Sequence, residues 1–217
     1  MIINLNLENK KIIIIGGGNE AEKRIKSVLN EKCEILVISD TTNKQISNWI
    51  KTKKIKLEKK KIEDVKFISE LKPDLIITTT NDKKINQKII THAKKKKIIA
   101  YSSDNPDESD FSNPAIIDFE KMIQIGIFTG GRSPVMSKKI KSKSEKALKK
   151  VILKEDIAQI KIQKMSRKLA KEIISTQSER KKCLNNIMND NRIDQLIKDN
   201  QVKKAEKRAI EIIKKWK

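Results

Sequence analysis

The sequence predicts an α/β protein: a Rossmann-like parallel sheet, then a small strand and linker region, then a C-terminal helical domain. Three observations carry this prediction. Continuous apolar, β-branched runs alternate with helix-period segments in the front of the chain, the pattern of a parallel sheet covered on both faces. A three-glycine turn follows the first of those runs, and every glycine and proline lies before position 135, so the rest has the composition of uninterrupted helices.

Residues 11–15, Lys-Ile-Ile-Ile-Ile, read as a buried strand, and residues 19–29 place Ala21, Ile25, Val28 and Leu29 at helical spacing. Residues 34–38 form a second strand, ended by Ser39-Asp40-Thr41-Thr42-Asn43, while the polar stretch 54–57 reads as a third strand at an edge. Residues 75–79 make a central strand after Pro73, followed by a helix over 83–95 and a strand over 98–101. After a turn-rich stretch at 104–114, strands are expected at 115–117 and 123–128. Ser133 then suits an N-cap with Pro134 at the first helical position. Three or four amphipathic helices should complete the chain, with breaks at 189–191 and 199–200. The expected division is a nucleotide-binding domain over 1–112, a strand pair with linking helix over 113–146 serving dimerisation, and a helical domain over 147–217.

The 217 residues are 37% hydrophobic and 36% charged, with 50 Lys and Arg against 28 Asp and Glu, net +22. That apolar share suffices for a packed core and excludes a wholly disordered polycation. No apolar run approaches the roughly 20 residues of a membrane helix, and Met1-Ile2-Ile3-Asn4-Leu5 lacks the basic start of a signal peptide. A cytoplasmic protein with no membrane partner is expected. Cys33 and Cys183 belong to no CxxC pair and should be reduced thiols, and the single histidine, His92, cannot build a His-rich metal site. The charge is uneven, net +7 over residues 1–135 and +15 over 136–217. Nucleic acid, an anionic small molecule and a general lysine bias all explain such an excess.

The sharpest motif is Gly16-Gly17-Gly18-Asn19-Glu20-Ala21, a G-x-G-x-x-A turn between strand and helix. Gly16 makes the tight turn, Gly18 lets backbone approach a pyrophosphate, and Ala21 allows close helix packing, with phosphates at the helix N-terminus. Asp40, at the end of the next strand, stands where a carboxylate accepts from the adenosine ribose hydroxyls and repels a 2′-phosphate, which favours NAD over NADP; a turn or helix-cap role is the alternative. The run Thr78-Thr79-Thr80-Asn81-Asp82 serves either to admit a cofactor close to backbone or to cap the next helix. Asp104-Asn105-Pro106 lies at a sheet edge or forms an Asx turn. Thr129-Gly130-Gly131-Arg132-Ser133-Pro134 has the makings of an anion nest, in which Arg132 grips a carboxylate or phosphate.

Taken in order, Gly16-Gly17-Gly18, Thr79-Thr80-Asn81-Asp82 with Asn86, Asp104-Asn105-Pro106, Asp110-Phe111 with residues 113–118, and Thr129 to Val135 resemble the precorrin-2 dehydrogenases, the N-terminal module of siroheme synthases. The resemblance covers about residues 5–150. It implies NAD-dependent oxidation of precorrin-2, a tetrapyrrole, to sirohydrochlorin, by a homodimer; some relatives also insert iron, so ferrous iron enters only as a chelatase substrate. It further implies that Asn19, Glu20, Asp40, Thr41, Thr79 and Thr80 contact the cofactor, that Asp104 is the essential aspartate, and that Asn113, Thr129, Gly130 and Arg132 contact the substrate. Phe128 and Thr129 depart from the small hydroxyl pair and serine of many relatives. The chain ends at Lys217 without the methyltransferase domain of fused relatives, so it is not expected to make precorrin-2. The rival reading is a non-enzymatic NAD-sensing or nucleic-acid-binding module with a basic helical tail, whose one aromatic is Trp216.

Overall fold

The computed structural model describes residues 3–216, so Met1, Ile2 and Lys217 lie outside the described residues. The chain separates into two compact units, one ending at Asn113 and the other beginning at Pro114.

The first unit runs β1 (Lys11–Ile15), α1 (Asn19–Val28), β2 (Glu34–Ile38), α2 (Lys44–Lys51), β3 (Lys56–Glu58), α3 (Lys66–Leu71), β4 (Leu75–Thr78), α4 (Lys83–Lys95) and β5 (Ile99–Ser102). Its five strands are all parallel, in the order β3-β2-β1-β4-β5. The isoleucine run of β1 explains why the sheet is two-sided. Ile12 and Ile14 pack with Ala21, Ile25, Ile46 and Trp49 of α1 and α2, whereas Ile13 and Ile15 pack with Phe67, Ile68, Ile85 and Ile89 of α3 and α4. Period-2 alternation therefore feeds two cores from one strand, each fully buried isoleucine contributing about 1.5–3 kcal/mol. The strand order reverses between β1 and β4, the switch point outside which ligands bind in open α/β sheets.

Helices α2 and α3 were not among the sequence expectations. Each anchors through two buried residues, Ile46 and Trp49 or Phe67 and Ile68, too few to set up a periodic stripe.

The second unit begins with a hairpin, β6 (Ala115–Phe119) and β7 (Ile123–Ile127), paired antiparallel. Glu120 and Lys121 take positive φ in its turn, which Met122 N–H closes by donating to Phe119 O at 2.9 Å. Five helices follow, α5 (Pro134–Leu148), α6 (Lys154–Ile173), α7 (Gln177–Met188), α8 (Asn191–Lys198) and α9 (Val202–Lys214), against the three or four expected. Ser133 caps α5, accepting from Met136 N–H at 3.2 Å. The additional breaks, at 149–153 and 174–176, contain neither glycine nor proline; Asp156 bonding Leu153 N–H and Thr176 bonding Glu179 N–H start α6 and α7 instead. The expected boundary after residue 146 falls inside α5. Fully buried Ala170, Ala205 and Ala209 join Ile162, Ile187, Ile193 and Ile213 in a helical core, small residues letting α6 and α9 approach closely. Cys183 is buried there, Cys33 is half-buried in the first unit, and both are free; burial pushes both thiols up from the ordinary value. Among the described residues no helix is long and apolar enough to cross a membrane.

Candidate functional site

A crevice of about 470 Å³ opens at the carboxyl ends of β1, β2 and β4, lined by Gly16 to Gly18, Ser39 to Thr41, Lys60 to Ile62 and Thr79 to Asp82. The glycine turn is held from two sides. Gly16 has φ +109°, and a Cβ there would lie 2.6 Å from Thr79 Oγ1, so both conformation and space demand glycine. At Gly17 a Cβ would lie 2.0 Å from Thr41 O, while Asn43 N–H donates to Gly17 O at 2.9 Å. Gly18 differs, with open space within 4 Å of the Cβ position. It is the N-cap of α1, and no side chain bonds the first N–H groups of that helix. Free N–H groups at a helix start beside a glycine with room in front of it suit an anionic group.

Asp40 lines the crevice, and the cap alternative does not apply to it, because Asn43 caps α2 by accepting from Ile46 N–H at 2.9 Å. Thr41 Oγ1 donates to the Asp40 carboxylate at 3.4 Å. Lys60 and Lys61, in the loop after β3, stand on the same rim, with Lys60 paired to Glu58 at 2.5 Å. Sequence reasoning missed both, since a lysine pair among so many lysines carries no signal.

Of the threonines, Thr79 ties β4 to β1, its Oγ1 donating to Ile15 O at 2.8 Å. Thr80 Oγ1 donates to Asn86 Oδ1 at 2.6 Å, and Asp82 caps α4 through Lys84 and Ile85 N–H. The run therefore does both jobs: Asp82 starts the helix while Thr79 and Thr80 line the crevice. Asn19 and Glu20 do not line it. Asn19 Oδ1 accepts from Asn43 at 3.3 Å, and Glu20 pairs with Lys23 and Arg24 at 2.9 and 2.5 Å. Burial pushes the Glu20 carboxyl up, but its bonds and attraction to Lys23 and Arg24 outweigh this and hold it below the ordinary value.

Asp104 is joined to the crevice wall by Asn86, which is 1% exposed. The Asn86 amide donates to Thr80 O at 2.9 Å and to Asp104 Oδ1 at 3.0 Å. Buried Ser102 Oγ donates to the same Oδ1 at 2.6 Å. Having spent its proton there, Ser102 accepts from Thr78 Oγ1 at 2.9 Å. These bonds aim Asp104 by side chains, unlike an Asx turn, and both buried donors converge on one oxygen. Ser102 was not among the expected site residues, and Asn86 appeared only within a motif. The available signal was an amide set among Ile85, Ile89 and Ile90 on the buried face of α4.

In the second unit, Gly130 and Gly131 take φ +65° and +76°, and Arg132 N–H closes their turn by donating to Thr129 O at 3.2 Å, so the run forms a tight turn in place of the anion nest expected from its glycines. Thr129 Oγ1 lies 3.0 Å from Ser137 Oγ and accepts from Ser133 N–H at 3.3 Å. Arg132 is exposed. Asn113 is also exposed, at the end of the first unit. Trp216 Nε1 donates to Glu179 at 3.2 Å, and this half-buried tie makes it a poor stacking platform for bases.

Among the described residues no three His, Cys, Asp or Glu side chains cluster as a metal site.

Comparison with known proteins places these features in context. A family model described as putative NAD(P)-binding matches residues 3–115. The precorrin-2 dehydrogenase of Priestia megaterium is 27% identical over 139 residues, covering 64% of this chain and 66% of that protein. The precorrin-2 dehydrogenase of Bacillus subtilis is 26% identical, covering 67% and 87%. The siroheme synthase of Nitrosomonas europaea is 28% identical, covering 65% and only 29%. The match thus spans less than two thirds of the first and under a third of the last. The solved structure of SirC, a precorrin-2 dehydrogenase, has a similar fold, with TM-score 0.71 at 20% identity over all of both chains.

Proposed function

Given that the chain belongs to the putative NAD(P)-binding family, we propose that it oxidises precorrin-2 to sirohydrochlorin with NAD as the acceptor. The observation that carries this reading is the Asn86 bridge. One buried amide holds both the crevice wall at Thr80 and the carboxylate of Asp104, so a cofactor-sized crevice and a candidate proton acceptor are built as one site. The relatives' names supply the substrate.

Gly18 and the free N–H groups of α1 would hold the pyrophosphate, and Asp40 the adenosine ribose. Bound NAD would supply the hydride acceptor. Asp104 would take the proton that leaves the macrocycle, the overall exchange being precorrin-2 and NAD giving sirohydrochlorin, NADH and one proton. Asn86 and Ser102 fix Oδ1 and leave Oδ2 to face the substrate. Steady-state assays without air test the proposal: sirohydrochlorin should accumulate with NAD and fail to accumulate when either NAD or protein is omitted.

Asp40 sets the preference for NAD. Asp40→Asn removes the charge that repels a 2′-phosphate while Lys60 and Lys61 remain on the rim, and the ratio of kcat/KM for NADP over NAD should rise about tenfold or more. An unchanged ratio places the selectivity elsewhere.

The homodimer belongs to this reading too. Ile116, Phe128, Val135, Met136 and Ile140 are exposed on the hairpin and α5 of the second unit, Val135 to 75%, an apolar set that a second copy would cover. Sedimentation should find about twice the 25.0 kDa chain mass at micromolar concentration; a species of single-chain mass contradicts it.

A further inference from the structure

The second unit holds an open cavity of about 740 Å³ between the hairpin tip, α6 and the end of α7, well within the size of sites for large organic ligands. It shares no lining residue with the crevice of the first unit. Ile123, Ile160 and Met188 give it an apolar surface, and Met188 is 55% exposed. Lys121, Lys164 and Arg167 stand around that surface, and among the described residues none of the three has an ion-pair partner, although other cations of this unit pair with neighbouring acids. The acid in the lining, Asp156, is engaged by Leu153 N–H at 2.7 Å. Gln159 braces this surface. Its Nε2 bonds Met188 O and Sδ at 3.4 and 3.2 Å, while its buried Oε1 has no partner. The two Nε2 bonds fasten the end of α7, with Met188, to α6 as one wall of the cavity.

We propose that this cavity is a second binding site for a tetrapyrrole polycarboxylate, the ligand class resting on the dehydrogenase reading above. The flat macrocycle covers the isoleucines and Met188, and its peripheral carboxylates meet Lys121, Lys164 and Arg167. An aliphatic monocarboxylate matches this poorly, because it brings one charge to three cations.

The test is a fluorescence titration of the full chain with uroporphyrin III, a stable polycarboxylate macrocycle. Wild type should bind a second equivalent that Arg167→Gln and Lys121→Gln each weaken about tenfold, with kcat and KM for precorrin-2 oxidation unchanged. Circular dichroism identifies any variant that fails to fold, and Lys164→Gln, on an exposed side chain, then serves in its place. Undiminished binding by the folded variants, or displacement of the second equivalent by dodecanoate at equal affinity, would overturn the inference and leave the dehydrogenase reading standing. Arg167-dependent binding by a protein that does not oxidise precorrin-2 would uphold the cavity and remove the reading of the crevice.

Discussion

Asp104→Asn should lower kcat for precorrin-2 oxidation by about 100-fold to 10,000-fold, the range that a positioned proton acceptor contributes. The substitution is chosen because it keeps the architecture. An asparagine Oδ1 can still accept from Ser102 at 2.6 Å and from Asn86 at 3.0 Å, so both buried donors stay satisfied and only the charge and basicity are lost. Asp104 is itself exposed, which keeps the cost to stability within about 0.5 kcal/mol. NAD affinity should hold, since the pyrophosphate and ribose contacts lie at Gly18 and Asp40. The informative result is the split: kcat falls while the thermal midpoint and the NAD dissociation constant do not. A folded Asp104→Asn enzyme at the wild-type rate would remove Asp104 from the mechanism. Parallel loss of NAD binding would instead make it a structural support of the crevice.

Two neighbouring glycines should respond in opposite ways. Gly17→Ala forces a methyl group to within 2.0 Å of Thr41 O, a backbone atom that cannot rotate aside. Thr41 O is also held by Ser39 Oγ at 2.7 Å, and the loop by Asn43 N–H to Gly17 O. Relief requires moving the turn between β1 and α1 away from the loop after β2, so a cost of about 3 kcal/mol or more is expected, a fall in thermal midpoint of roughly 6–12 °C. Gly18→Ala meets nothing within 4 Å. It should cost only about 0.5 kcal/mol as a poorer N-cap, yet its methyl occupies the space assigned to the pyrophosphate. The KM for NAD should rise about tenfold, with thermal stability nearly intact. Equal destabilisation by both substitutions would mean that Gly18 is structural and that the anion site lies elsewhere.

These contrasts show where sequence is informative and where it falls silent. The isoleucine run of β1, the glycine turn and the apolar β4 were legible because two-sided burial needs continuous β-branched runs and the turn needs residues without Cβ. Gly17 was passed over, since the motif leaves that position free; its necessity comes from a carbonyl contributed by a loop 24 residues further on. Asp104 stood out as a carboxylate after a strand, but Ser102 and Asn86 acquire meaning only when parallel pairing sets Thr78 opposite Ser102. Breaks in the helical unit were harder to see because side-chain caps, Thr176 and Asp156, replace glycine and proline there.

A single turnover without air tests the central claim most directly, with enzyme in excess over precorrin-2 and NAD present. NADH absorbance and sirohydrochlorin absorbance should rise together, one for one and with one rate constant, and Asp104→Asn should slow both equally. Sirohydrochlorin formed without NADH, or at the same rate when the protein is left out, would contradict the assignment of this site as an NAD-dependent dehydrogenase.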